Sequence, residues 1–314
     1  MPETPRRRER AAGAITEQAR HEAGSGPQPL PRPFTERDPL PRDAGALPPA
    51  PAEIWSIVDD GLTVLGLALT PGTRAALDAQ LRLMLAWNQH VNLTALRTPE
   101  QVARGHVLDS LSALPLIRRL LAEQRRPTDA GPRLLDLGSG AGYPGLPLAI
   151  ALPVANCALV DSVGKKAAFL TAAASAASEA LRATGEPAPE FTAMAERAED
   201  LARESDQREG WDIVVARAVG SLAEVVELGL PLVRVGGHVI AWKREPQPQA
   251  LRDEINAARR VLGAAGGEHP LVVAPDRDGR ARLADHRLVV VRKLRPTPDR
   301  FPRDPTERRR SALR

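Results

Sequence analysis

The stretch RLLDLGSGAGYPGLPLA, from Arg133 to Ala149, constrains the fold of this chain more than any other. A short apolar run ends in Asp136, glycines follow at Gly138, Gly140 and Gly142, and after Gly145 a second apolar run carries Pro147 where a helix tolerates it. This is a strand, a tight turn and a helix, the opening unit of an open α/β sheet in which a ligand sits beyond the carboxyl ends of the strands. Two patterns overlap in the same letters. Gly140, Gly142 and Gly145 spell G-x-G-x-x-G, whereas the run from Asp136 spells D-x-G-x-G-x-G. The first belongs to dinucleotide sites, and the second places an acid at the mouth of the turn.

The rest of the chain supports that architecture. After Arg133, apolar runs RLLDLG, CALVDS, FTAMA, DIVVARA and HVIAWK alternate with helical segments such as the alanine-rich Lys165 to Arg182, and LVVAP and HRLVVVRKL follow. Strands alternating with helices predict a doubly wound sheet over residues 131–295. From Ile54 to about Ala122 the periodicity is helical, with Leu77, Leu81 and Leu85 on one face. Thr70-Pro71 and Thr98-Pro99-Glu100-Gln101 are helix starts, the second a capping box. These signals predict a helical subdomain over residues 51–130. Residues 1–50 hold ten of the thirty prolines and few large apolar side chains, the composition of a disordered extension.

Composition narrows the function classes. With a single cysteine, Cys157, in an apolar run, the chain has neither a disulfide framework nor a cysteine-based zinc cluster, and no metal is expected. No apolar run approaches membrane-spanning length and no secretory leader is evident, so a cytoplasmic protein with no membrane partner is expected. The net charge is +4, yet residues 292–314 alone carry nine Lys/Arg against three Asp/Glu. A basic tail over residues 296–314 on a near-neutral body is the footprint of docking on phosphates.

Asp136 separates the two ligand readings. A dinucleotide brings a pyrophosphate to the turn, and a carboxylate about 4 Å from a phosphate costs up to roughly 4 kcal/mol at an effective dielectric of about 20. S-adenosylmethionine brings an ammonium and a sulfonium, for which the acid is an asset. Asp161, closing the second strand, suits the ribose of either ligand. His106, Asp109 and Ser110 stand at helical spacing, and without a nucleophile elbow they are expected to pair with a neighbouring element. An oxidoreductase, a methyltransferase for another substrate and a non-catalytic assembly factor remain the alternatives.

DLGSGAGYPG from Asp136, followed by DSVGKKAAFL from Asp161, resembles the 16S ribosomal RNA methyltransferase G family, also called glucose-inhibited division protein B. WNQHVNLT from Trp87, HVLDSL from His106, VVARA from Val214, Trp242-Lys243 and RFPR from Arg300 extend the resemblance to about residues 55 to 303. It implies a class I S-adenosylmethionine-dependent methyltransferase fold, mostly parallel with one antiparallel strand. The implied acceptor is N7 of a guanine in the 530 loop of 16S rRNA, on the small ribosomal subunit or an assembly intermediate. Donor-binding positions carry over onto Gly138, Tyr143, Ala198, Glu199 and Arg217, with Asp161 added by fold analogy. Lys165, Arg197, Lys243 and Arg303 are the RNA-contact candidates, and a monomer is expected. After Arg303 the tail departs from the family pattern with Asp304-Pro-Thr-Glu-Arg-Arg309.

Guanine N7 carries a free lone pair, so methyl transfer to it needs no general base and no catalytic residue is assigned. Holding N7 in line with the methyl group would then supply the acceleration. A pyrimidine C5 methyltransferase would need a cysteine nucleophile, and an exocyclic-amine methyltransferase would show Asn/Asp-Pro-Pro-aromatic where this chain reads Arg217-Ala-Val-Gly.

Overall fold

The computed structural model describes residues 40–124 and 131–310. Residues 1–39 of the expected extension and the expected boundary near residue 130 lie outside them. Residues 40–50, assigned to the same extension, are packed against the body. Ala44, Leu47 and Ala50 are buried, and Trp87 Nε1 donates to the Pro41 carbonyl at 2.7 Å. Scattered apolar residues in a proline-rich stretch were enough to dock it.

Helices α1 (Ala52–Leu65) and α2 (Pro71–Trp87) open the described chain. The Thr70 side chain caps α2 by accepting the Thr73 N–H at 3.0 Å, with Pro71 in the first turn. The capping box at Thr98 and Gln101 starts α3 (Pro99–Val102). A wider π-helical turn, Ala103–Leu108, continues it into α4 (Asp109–Leu111), and α5 (Leu114–Glu123) follows.

From there strands and helices alternate: β1 (Arg133–Leu137), α6 (Gly145–Ala151), β2 (Asn156–Val160), α7 (Gly164–Ala183), β3 (Glu190–Met194), α8 (Ala198–Leu201), β4 (Trp211–Arg217) and α9 (Leu222–Gly229). The chain continues through β5 (Val233–Arg244), α10 (Pro248–Ala265), β6 (Leu271–Val273), β7 (His286–Arg292) and α11 (Pro305–Arg310). The strands form one sheet in the order β3-β2-β1-β4-β5-β7-β6. β3, β2, β1, β4 and β5 pair in parallel, and β7 runs antiparallel to both β5 and β6. This is the mostly parallel, doubly wound sheet of a class I methyltransferase.

Side chains alternate across the sheet and divide the core. Leu134, Cys157, Leu159, Ile213 and Val215 face a layer that includes α1, α2, α6 and α7. Leu135, Leu137, Val160, Val214 and Ala216 face α9, α10 and Phe301. The N-terminal helices therefore have no separate core; they cover one face of the sheet, and residues 40–310 belong to one compact unit. By the same alternation Asp136 lies on the Leu134 side, under α6.

Candidate active site

At the carboxyl ends of β1, β4 and β5 a cleft of about 750 Å³ opens between the glycine loop and the π-helical turn. One wall is Gly138 to Ala141 with Tyr143, and the other is Thr94, Gly105, His106 and Asp109. Gly138, Gly140 and Gly142 have φ of 70°, 56° and 83°, the left-handed region open to glycine. At Gly138 a Cβ would also fall 2.7 Å from Val219. Ala218 adopts φ 58° immediately after Arg217, a strained backbone at the cleft floor.

Asp136 does not meet a ligand as its charge suggested. It is fully buried, and its Oδ2 accepts the Gly145 N–H at 2.9 Å at the start of α6. A Cβ on Gly145 would lie 2.4 Å from that of Asp136, so this close approach is what requires the glycine. Burial pushes the Asp136 carboxyl up to about 7, and its Oδ1 has no hydrogen-bond partner among the described residues. Gln80 of α2, buried beside Gly142, has neither amide atom paired. Asp161 follows β2, and its oxygens accept from Gly140 N at 3.1 Å and Val163 N at 2.9 Å, tying the loop to the next strand.

Arg217, ending β4, organises the opposite wall. Its Nη1 donates to the Gly105 carbonyl at 2.7 Å and to Asp109 Oδ2 at 2.9 Å, and its Nη2 meets His106 Nδ1 at 2.8 Å. Asp109 also accepts from His286 Nδ1 of β7 at 2.5 Å. Burial would raise the Asp109 carboxyl, but the His286 hydrogen bond and the Arg217 charge outweigh it and hold the group below its ordinary value. Burial, then the Arg217 charge, pushes His106 down to about 3. The neutral ring stacks on Tyr143, with centroids 4.4 Å apart and planes 8° from parallel. Burial raises the Tyr143 phenol.

Of the expected site residues, Gly138, Tyr143, Arg217 and Lys243 line the cleft together. Asp161 stands behind the loop. Ala198 and Glu199 begin α8 outside the cleft lining, and Glu199 pairs with Arg308 of α11. Lys165 and Arg197 are exposed, whereas the neighbouring Lys166 reaches the cleft. Arg303 is not a free cation: Glu227, almost fully buried on α9, accepts from its Nε at 2.8 Å and Nη2 at 2.6 Å. Arg244, Arg282 and His286 also line the cleft and carry no expectation from the sequence, and Thr94, which lines it too, stands in the WNQHVNLT motif without an assigned role. His286 offered one signal, a polar residue opening the apolar run of β7.

The chain matches the family model rRNA small subunit methyltransferase G over residues 74–278. It belongs to the rRNA small subunit methyltransferase G family. A relative in Chloroflexus aggregans, ribosomal RNA small subunit methyltransferase G, is 38% identical over 246 residues, 77% of this chain and 90% of that one. The protein of the same name in Roseiflexus castenholzii is 40% identical over 229 residues, 73% and 86% of the two chains. As a family member the chain is a methyltransferase, and the G-x-G-x-x-G reading of its loop is set aside. The residues present fit S-adenosylmethionine: a cleft of suitable size, a glycine loop open to close backbone approach, and beside it Arg217 protons unpaired among the described residues.

Proposed function

We propose that this chain transfers a methyl group from S-adenosylmethionine to N7 of a guanine in the 530 loop of 16S rRNA, acting as a cytoplasmic monomer on the small subunit or its precursor. The carrying observation is the state of His106 and Asp109 on the wall facing the glycine loop; of the other acceptors in the lining, Glu100 is paired with Arg104 and Arg282, and His286 Nδ1 donates to Asp109. His106 has both ring nitrogens engaged, by Arg217 and Thr94, and Asp109 is bound by Arg217 and His286. Neither is poised to take a proton from a substrate. Guanine N7 has no proton to remove, so the wall needs only to hold the base in line.

S-adenosylmethionine supplies an electrophilic methyl group at a sulfonium. Gly138 and Tyr143 would bind it from the loop and Arg217 from the facing wall. Asp161, following β2, and Ala198 and Glu199, following β3, would serve the nucleoside half. Lys243 lines the cleft with its Nζ donating to Glu254 at 2.6 Å and to the Gly220 carbonyl at 2.8 Å, so its third proton would meet an RNA phosphate, with Lys165 and Arg197 further out.

The test is gene deletion followed by mapping of N7-methylguanosine in small-subunit rRNA by reduction and strand scission. The expected result is loss of one cleavage in the 530 loop, restored by the wild-type gene. An unchanged pattern refutes the reading.

A further inference from the structure

Thr94 lines the cleft on the short loop after α2. Asn88 fixes that loop, its Oδ1 accepting from the N–H groups of Leu93 and Thr94 at 3.0 Å each. The Thr94 hydroxyl has two neighbours, the Leu96 N–H at 3.1 Å and His106 Nε2 at 2.8 Å. Which of His106 and Thr94 donates follows from the far side of the ring. Arg217 Nη2 can only donate, so His106 Nδ1 accepts from it. A neutral imidazole then carries its one proton on Nε2 and gives it to Thr94 Oγ1.

Both lone pairs of Thr94 Oγ1 are thereby filled, by His106 and by Leu96. Its own proton has no acceptor among the described residues and must be donated into the cleft. A threonine hydroxyl ordinarily gives or takes a hydrogen bond, and this one is set to give. Arg217 sits on the other side of the same imidazole with its Nε–H and one Nη2 proton unpartnered among the described residues. Two donors at the ends of one ring ask for an anionic or strongly accepting group between them. The backbone says which ligand brings it: the Leu93 carbonyl oxygen lies 4.0 Å from where a Gly140 Cβ would stand, so Thr94 abuts the glycine loop.

We propose that Thr94 is a specificity residue for the methyl donor, its hydroxyl joining Arg217 in gripping the α-carboxylate of the amino-acid half. His106 acts as a positioning residue that holds the hydroxyl in its donating sense. The inference rests on S-adenosylmethionine being the donor. It assigns the carboxylate, rather than the ammonium or the acceptor base, to this wall.

Calorimetry on the full chain with three probes tests it: S-adenosylmethionine, its decarboxylated analogue and methylthioadenosine, which lacks the amino-acid half. Thr94→Val is expected to weaken S-adenosylmethionine about tenfold, the scale of one hydrogen bond to a charged group, and to leave the other two unchanged. Thr94→Ser is expected to retain the preference for the carboxylated ligand. Equal weakening of all three probes by Thr94→Val would mean a merely structural residue and overturn the proposal. Unchanged S-adenosylmethionine affinity would overturn it too, leaving the acceptor base as the partner of the hydroxyl. If the wild-type chain bound none of the probes, the donor reading itself would fall, an outcome distinct from either.

Discussion

Lys293 and Arg217 both carry a positive charge into the interior, and they are satisfied to different degrees. Lys293 is fully buried, and its ammonium donates to Glu209 Oε1 at 2.7 Å and to the carbonyls of Leu230 at 2.6 Å and Val233 at 2.8 Å. An ammonium has three protons, and all are used. The tail beyond it is latched the same way, by Arg303 on Glu227 and by Arg208 donating to the carbonyls of Thr297 and Phe301. Arg217 has five N–H groups, and the described residues take three, leaving the others at a cleft. A cation's role is therefore read from the donors it has left over, and the charge excess that singled out residues 292–314 does not reveal it.

The sharpest way to break this contrast is to delete one charge from each region. Arg217→Met should lower S-adenosylmethionine affinity at least about a hundredfold. Because it strands Asp109, it should also cost about 3–5 kcal/mol of stability. Lys293→Met should cost a similar amount of stability and leave donor affinity of the folded protein within about twofold. Calorimetry below the melting transition, with denaturant titration, separates the two effects. A selective loss of donor affinity in Lys293→Met would end the distinction.

The same accounting applies to anions. Half-buried Glu209 answers Lys293 and the Thr297 N–H, whereas fully buried Asp136 has one oxygen unpaired among the described residues, under the glycine loop. Its folded value, about 7, lies above the ordinary aspartate value of 3.8. Stability from that difference is fully present below 3.8 and is lost as pH rises through about 7. Asp136→Asn removes the titration, so it should gain on the wild type by roughly 3 kcal/mol between about pH 5 and pH 8. Denaturant midpoints at the two pH values check this, and a constant difference would show that Asp136 stays ionised in the fold.

Local rules read well in this sequence. The strands stand within a few residues of their apolar runs, apart from β5, which begins earlier, and Thr70 and Thr98 cap helices as their side-chain chemistry required. The loop's conformation followed from its glycines. What could not be read was which charge meets which. The partner of Arg217 is Asp109, 108 positions away on a helix brought over the sheet by packing, which no residue near Arg217 in the sequence announces. The charge of Asp136 suggests a ligand contact, but its alternation with Leu134 turns it inward, and in a strand parity decides which face a side chain takes. Thr94 stands in the WNQHVNLT motif, but its donor role cannot be read there, since it exists only once Arg217 has fixed the tautomer of His106.

The smallest expected effects lie at the cleft mouth, where the contrast with the tail meets RNA. Arg244 and Arg282 line the cleft with side chains 59% and 70% exposed, Arg282 paired with Glu100 and Arg244 with Asp285 at the surface and with the His286 ring behind it. Exposed pairs of this kind contribute about 0–1 kcal/mol, so a phosphate can replace the carboxylate at little cost. Arg303, by contrast, would have to abandon an almost fully buried Glu227 to reach RNA. Arg244→Gln and Arg282→Gln should each weaken RNA binding about threefold to tenfold and reduce the salt dependence by about one phosphate contact. Arg303→Gln should lower stability by about 2 kcal/mol or more and leave the salt slope alone. Binding isotherms at several salt concentrations decide between them: a slope that falls with Arg303 and not with Arg244 or Arg282 would return the phosphate contact to the tail.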